Sequence, residues 1–246
     1  MDRGANEHRQ AQRWRGRAER ARDAFGLVLA LVLVTYVLSS LLSDRGWPAV
    51  LISLSISATS IVALVSSRSR PRLVRTALWV ALLITVLVVI AAITGAHAWL
   101  NLGAALQIAL LAVAMATVLR RVVTTAEVGS RTILGALSVY AVIGLLFTYL
   151  YAAIDRAQST PFFEGHQNPE GSDFLFFSYT TLTTTGYGDL VPGGQPGEMI
   201  AGLEMMIGQI FLVTLVAGLV SLWRPGEGLR RHLDERGQAS GERARP

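Results

Sequence analysis

Cysteine is absent from the 246 residues, which excludes disulfides and thiolate metal sites. Lysine is absent as well, so all 22 basic residues are arginine. Histidine is scarce: His8, His97, His166 and His232 are scattered along the chain and build no metal cluster. There is no nucleophile and base set, and no glycine-rich phosphate loop, so an enzyme is not expected and no cofactor is called for. Charge is scarce too, at 16% against 52% hydrophobic residues, with a mean hydropathy of +0.45, which is the balance of a membrane protein. A pI near 10.2 would suggest nucleic acid in a soluble chain, but the arginines are distributed otherwise and no nucleic-acid partner is expected.

What is abundant is long apolar sequence. Segments 25–42, 47–65, 76–95, 98–119, 132–154 and 197–223 are each long and apolar enough to span a bilayer. With the N-terminus inside, the cytoplasmic pieces hold the arginines of residues 1–24, then Arg68, Arg70, Arg72 and Arg75, then Arg120, Arg121 and Arg131, then those from Arg224 onward. Only Arg45 and Arg156 fall outside, so the positive-inside rule places both termini in the cytoplasm of a multi-pass cell-membrane protein. No small-residue cleavage pattern follows the first segment, which reads as a retained anchor. The chain divides into a basic arm (1–24), a four-helix unit (25–121), a connector (122–131), a unit holding the last two spans (132–223) and a short tail (224–246). The basic arms either orient the chain or attract anionic lipid at about 1 kcal/mol per arginine near the surface. The opposite face collects Asp44, Asp155, Glu164, Glu170, Asp173, Asp189 and Glu198, a field that would concentrate cations unless these are merely solvated carboxylates.

Between the last two spans lies Thr183-Thr184-Thr185-Gly186-Tyr187-Gly188-Asp189. Gly186 and Gly188 sit two apart. Left-handed dihedrals at alternate positions point successive carbonyls the same way, and glycine accepts that conformation where a Cβ resists it. Carbonyls so aligned can replace the hydration shell of a cation. The carbonyls of Thr184, Thr185, Gly186 and Tyr187, with the Thr184 hydroxyl at the inner end, form the expected ion sites, and Tyr187 is expected to point backward and brace the strand. Gly-Tyr-Gly alone also occurs in ordinary turns. Here, however, residues 174–183 form a short apolar-aromatic run, too short to cross a bilayer and suited to a re-entrant helix whose C-terminal end carries partial negative charge toward a cation. One such loop supplies about a quarter of an enclosed site, and the chain contains no repeat and no second loop of this kind, so a fourfold homotetramer is required.

Helix, turret, short helix, filter, Asp189, Pro192, helix: over residues 132 to 223 the chain resembles the tetrameric potassium channels. Phe177 through Asp189 is similar to the loop of the prokaryotic and two-pore-type members. The resemblance implies a potassium-selective channel that conducts passively, with ion-binding residues Thr184, Thr185, Gly186, Tyr187 and Gly188, and potassium held at the first four. Asp189 keeps its place in the motif, and Asp189, Thr180, Thr181 and Glu204 are the residues expected to support the filter. Two places depart from the family pattern. Thr185 stands where many relatives carry valine or isoleucine, and its side chain is expected to face the short helix. Phe176, Phe177 and Thr180 stand where several relatives carry a tryptophan pair and a glutamate, and Phe176 offers Asp189 no donor.

The resemblance also puts Gly208 at the hinge position of the inner helix, where packing against the short helix is the equal alternative. Gln209, Leu212 and Val216 recur at helical spacing and are expected to face the cavity below the filter. Glu204 lies one turn before Gly208 at membrane depth, where a carboxyl group needs a partner. The expected partner is the short helix around Thr180 or Thr181, with direct ion coordination as the lesser reading. Six spans with one loop is also the layout of voltage-gated channels, but segment 98–119 has no arginine ladder and the first three spans have no acidic countercharges. Arg120 and Arg121 read as anchors, and strong voltage gating is not expected. Ser53, Ser57 and Ser60 share a helical face, and Asn101 and Gln107 lie in the fourth span; these serve either close helix contact or a water-filled or ligand-binding crevice.

The expected fold is therefore an all-α integral membrane protein of six transmembrane helices, with a re-entrant helix and filter between helices five and six. Two alternatives in function stand beside the potassium channel. One is a nonselective monovalent cation channel, and the other a nonconducting sensor or assembly protein on the same fold. Partners are potassium ions, membrane lipids and three further copies of the chain.

Overall fold

A computed structural model describes residues 25–42, 46–67, 69–95, 97–124 and 130–222. The basic arm, the tail, Arg45, Arg68, Trp223 and residues 125–129 of the connector lie outside the described residues.

Among the described residues the regular structure is helical, with one isolated antiparallel bridge between Phe163 and Pro192. The helices are α1 (Phe25–Leu41), α2 (Trp47–Ser66), α3 (Pro71–Thr94), α4 (His97–Thr124), α5 (Ser130–Ala157), α6 (Gly171–Leu182) and α7 (Gly197–Leu222). Five of them, α2, α3, α4, α5 and α7, are long and apolar enough to cross a membrane, while α1 is shorter over its described length.

Several boundaries differ from the sequence reading for identifiable reasons. α3 starts at Pro71, not near 76, because proline at the first helical position has a suitable φ and no N–H to satisfy. The helix therefore includes Arg72 and Arg75. It stops at Gly95, whose left-handed φ of 67° lets its N–H reach Ala91 O at 2.8 Å. α4 runs past Arg120 and Arg121 to Thr124, and α5 begins at Ser130, so both ends of the connector are helical.

Several hydroxyls inside these apolar helices are satisfied locally. Ser60 donates to Ile56 O at 3.0 Å, Thr85 to Ala81 O at 2.9 Å and Thr148 to Gly144 O at 2.8 Å, each one turn back along its own helix. Packing runs in chain order. α2 lies on α3 and α4, α3 on α4, and α4 on α5; α5 then carries both α6 and α7. α5 is thus the wall shared by the four-helix unit and the loop segment. Its buried Val139, Ile143, Phe147 and Tyr151 belong to the main apolar cluster, which also takes in Phe174, Phe177 and Leu182 of α6.

Candidate functional site

α6 sets the position of the loop that follows it. Its start is fixed by the Glu170 N–H donating to Asp173 Oδ2 at 2.8 Å, with the Asp173 carboxylate in the first turn where the helix end is positive. Aromatic rings then hold its outer half. Phe163 stacks on Phe174 with centroids 5.2 Å apart, and Tyr151 meets Phe177 edge-on at 5.0 Å.

At the other end of α6 the chain turns back on the helix. Thr183 N–H donates to Tyr179 O (3.1 Å), Thr184 N–H to Thr181 O (2.9 Å), and both Thr185 N–H (2.8 Å) and Gly186 N–H (3.2 Å) to Thr180 O. The loop amides therefore cap the last helical carbonyls. The carbonyls of Thr184, Thr185, Gly186 and Tyr187 are treated differently: among the described residues none receives a hydrogen bond. Thr184, Gly186 and Gly188 have φ of 56°, 49° and 81°, so the left-handed region is occupied at every second position. That alternation is what turns consecutive peptide planes to one side. Thr184 is the one non-glycine residue with positive φ among the described residues. Its Cβ costs about 1–2 kcal/mol there, so the conformation is imposed by its surroundings.

Two contacts impose it. The Thr184 hydroxyl donates to Thr183 O at 2.7 Å and accepts from Gln209 Nε2 at 2.8 Å, which ties the inner end of the loop to α7. The Thr183 hydroxyl donates to Tyr179 O at 2.7 Å, so Thr185 Oγ1, 2.9 Å from Thr183 Oγ1, is the donor of that pair. Thr185 thus turns its side chain to the end of α6. Tyr187 is 71% exposed and stacks on Phe176 at 5.8 Å and 12°. Asp189 Oδ1 accepts from the Leu190 N–H at 3.1 Å, while the strand beyond is tied back by Glu164 N–H to Val191 O (3.0 Å) and Gly193 N–H to Phe162 O (2.8 Å).

Glu204 is fully buried, and here the sequence expectation is corrected. Its partner on α6 is Ser178, not Thr180 or Thr181. Ser178 Oγ lies 2.6 Å from Oε1, and the Tyr151 hydroxyl of α5 donates to Oε2 at 2.5 Å. The register explains this: Gly208 lies against Leu182, so four residues earlier on each helix Glu204 lies against Ser178. Thr180 meanwhile spends its hydroxyl on Phe177 O at 3.0 Å. Ser178 Oγ is also 2.8 Å from Gly144 O, so three oxygen pairs need three protons. Tyr151 and Ser178 supply one each. A carboxylic acid or an amide at position 204 completes the set, whereas a carboxylate leaves one pair without a proton.

Gly208 is a contact residue: a Cβ there would overlap the carbonyl oxygen of Leu182 and come within 3.0 Å of Leu182 Cδ1. Gly144 has the same role on α5, where a Cβ would sit 2.7 Å from Cζ of Tyr179. Tyr179 then reaches Ala141 O (2.7 Å), and Tyr140 reaches Leu182 O (3.0 Å). Tyr140, Gly144, Tyr151 and Ser178 were not singled out from the sequence. The available signal was a phenol in an apolar helix, since a buried phenol needs an acceptor. Gln209, Leu212 and Val216 are all exposed on this chain, and Gln209 is the one brought to the loop. Thr181 is buried. No group of three or more acidic or histidine side chains able to hold a metal occurs among the described residues.

Comparison with curated proteins gives no match. A family model described as "Ion channel" matches residues 156–224, which run from the end of α5 through α6, the loop and α7. This part of the chain is similar to that family, which is one of channels and not of enzymes.

Proposed function

We propose that the protein is a potassium-selective channel, a fourfold homotetramer in which the loop after α6 is the selectivity filter and α6 is a re-entrant helix. The observation that carries the proposal is the row of carbonyls from Thr184 to Tyr187, free of protein donors and set between left-handed residues at 184, 186 and 188. These carbonyls are exposed on the single chain, and around a fourfold axis a dehydrated cation can take the place of the water that would otherwise bond them. Thr184, Thr185, Gly186, Tyr187 and Gly188 form the ion path, with potassium held at the first four. Gln209 fixes the Thr184 hydroxyl at its inner end. Asp189 and the Glu204 bonds steady the loop from either side.

The exposed faces of α7 support assembly. Met199, Leu203, Met206, Ile210 and Val213 form one exposed apolar stripe, and Met205, Leu212 and Val216 extend from Gln209 along another. A stripe facing neighbouring subunits and a stripe facing a central cavity account for both. In this reading α1 is the first of six spans and both termini are cytoplasmic in the cell membrane, where the arginine-rich arms favour anionic lipid. A nonselective monovalent cation channel is the second reading, favoured by the bracing of Tyr187 through a ring stack on Phe176 alone among the described contacts. Proteoliposomes loaded with potassium should concentrate radioactive rubidium, and external potassium should suppress this uptake far more than equal sodium. Equal suppression would favour the nonselective reading, and uptake no greater than in protein-free liposomes would leave only a nonconducting role.

Strong voltage gating has no structural support in α4. The span Ala98–Val122 has a mean hydropathy of 2.2, and its charges are Arg120 and Arg121 at the cytoplasmic end. Steep gating needs several charges per subunit moving in the field, each worth about 2.3 kcal/mol per 100 mV. Replacing both arginines with glutamine should lower insertion more than it changes the slope of the conductance–voltage curve. A steep sigmoid flattened by those replacements would contradict this reading of the four-helix unit.

A further inference from the structure

A cavity of about 430 Å³ lies between α2, α3, α4, α5 and α6, away from the loop. Its lining includes the apolar side chains Ile52, Ile84, Leu145 and Leu175, together with the polar Asp155, Gln167 and Asn168. Ser39, Thr148, Tyr149 and Arg156 also line it, and two lining side chains, Ser53 and Gln107, carry a buried polar atom without a partner. Ser53 of α2 is 7% exposed and Gln107 of α4 is 2% exposed, and neither Ser53 Oγ nor Gln107 Nε2 has a hydrogen-bond partner. Gln107 Oε1 is the acceptor for Ser57 Oγ at 3.4 Å, so the amide is oriented with its two N–H donors left over. Unpaired buried groups of this kind cost about 1–3 kcal/mol each.

Water alone fits the space poorly. At roughly 30 Å³ per molecule the volume would hold on the order of ten waters, each wanting two to four polar partners, and those against Ile52, Ile84, Leu145 and Leu175 would face apolar side chains. An apolar body with one oxygen fits better, because the oxygen can accept from Gln107 Nε2 and share a proton with Ser53 Oγ, and the remaining atoms can contact the aliphatic wall. The volume is also within the range of small-molecule sites. We propose that this cavity is a binding site for a small neutral amphiphile bearing a hydroxyl or carbonyl oxygen, held by Gln107 and Ser53. The site is independent of what the loop conducts, because it rests on the packing of α2 through α6.

The test uses the full-length protein reconstituted in lipid and a photoreactive diazirine derivative of 1-octanol. Adducts mapped by mass spectrometry should concentrate on the peptides containing Ser53 and Gln107, and excess 1-octanol should displace them while octanoate should not. Gln107→Leu should cut this labelling roughly tenfold, the loss expected for one buried hydrogen bond. The same variant should melt close to the parent, since it removes the unpartnered Nε2 together with the long 3.4 Å bond that Ser57 Oγ donates to Oε1. Ala104→Leu, which narrows the cavity and leaves the polar pair in place, should also abolish labelling, so the proposal is testable even if the first variant folds poorly. Labelling spread over exposed residues such as Trp79 and Leu82, or labelling unchanged by either variant, would overturn the proposal.

Discussion

Replacing Gly186 with alanine should reduce rubidium uptake to the level of protein-free liposomes while leaving the helices intact. The two effects separate because of where Gly186 sits. No atom lies within 4 Å of a Cβ built there, so the substitution meets no steric block. What it meets is a backbone φ of 49°, in the left-handed region, where a Cβ costs about 1–2 kcal/mol. That is too little to unfold the seven helices described. It is enough to move the residue toward negative φ, which rotates the flanking peptide planes and takes the Thr185 and Gly186 carbonyls out of the row. In a fourfold assembly the disturbance occurs four times around one ion, so a modest local strain becomes a complete loss of function. Alanine at Gly188, with φ of 81°, should act in the same direction. Unchanged uptake in the Gly186 variant would mean that these carbonyls are not on the ion path.

The second large effect is expected at Glu204, and its sign depends on the replacement. Glu204→Gln keeps an acceptor for the Tyr151 hydroxyl and supplies an N–H toward Ser178, so its melting temperature should stay close to that of the parent. Glu204→Ala removes both. Ser178 still has Gly144 O at 2.8 Å to donate to, but Tyr151, which is fully buried, loses its acceptor. An orphaned buried hydroxyl costs about 1–3 kcal/mol, and the cavity left by the side chain adds to that. The alanine variant should therefore melt well below the glutamine variant. Adding Tyr151→Phe to Glu204→Ala should recover part of the loss, because the orphaned group is then gone. Identical melting of the alanine and glutamine variants would show that the Tyr151–Glu204–Ser178 contacts do not hold α5, α6 and α7 together.

Much of this site is legible in the sequence because it is written in local spacing. Gly186 and Gly188 announce a left-handed alternation without any tertiary information, and the arginine distribution and apolar runs do the same for the helices. Thr184 is the part that local rules hide. A β-branched residue is a poor candidate for positive φ, and it takes that conformation because Gln209, 25 positions away, and the Thr183 carbonyl fix its hydroxyl. Glu204 is an intermediate case. Its burial demanded a partner, and the sequence pointed correctly to α6, but the residue that answers is set by the register in which Gly208 meets Leu182. A one-turn offset between two helices cannot be read from either one alone. Gly144 is similar, since only the ring of Tyr179 shows why a side chain is excluded there.

The reversal potential of single channels in a planar bilayer, with potassium on one side and equal sodium on the other, tests the carbonyl row most directly. Selective coordination by Thr184 to Tyr187 requires a shift toward the potassium equilibrium potential of more than about 59 mV, the value for a tenfold preference between monovalent ions. A reversal potential near zero in the unaltered protein would contradict it.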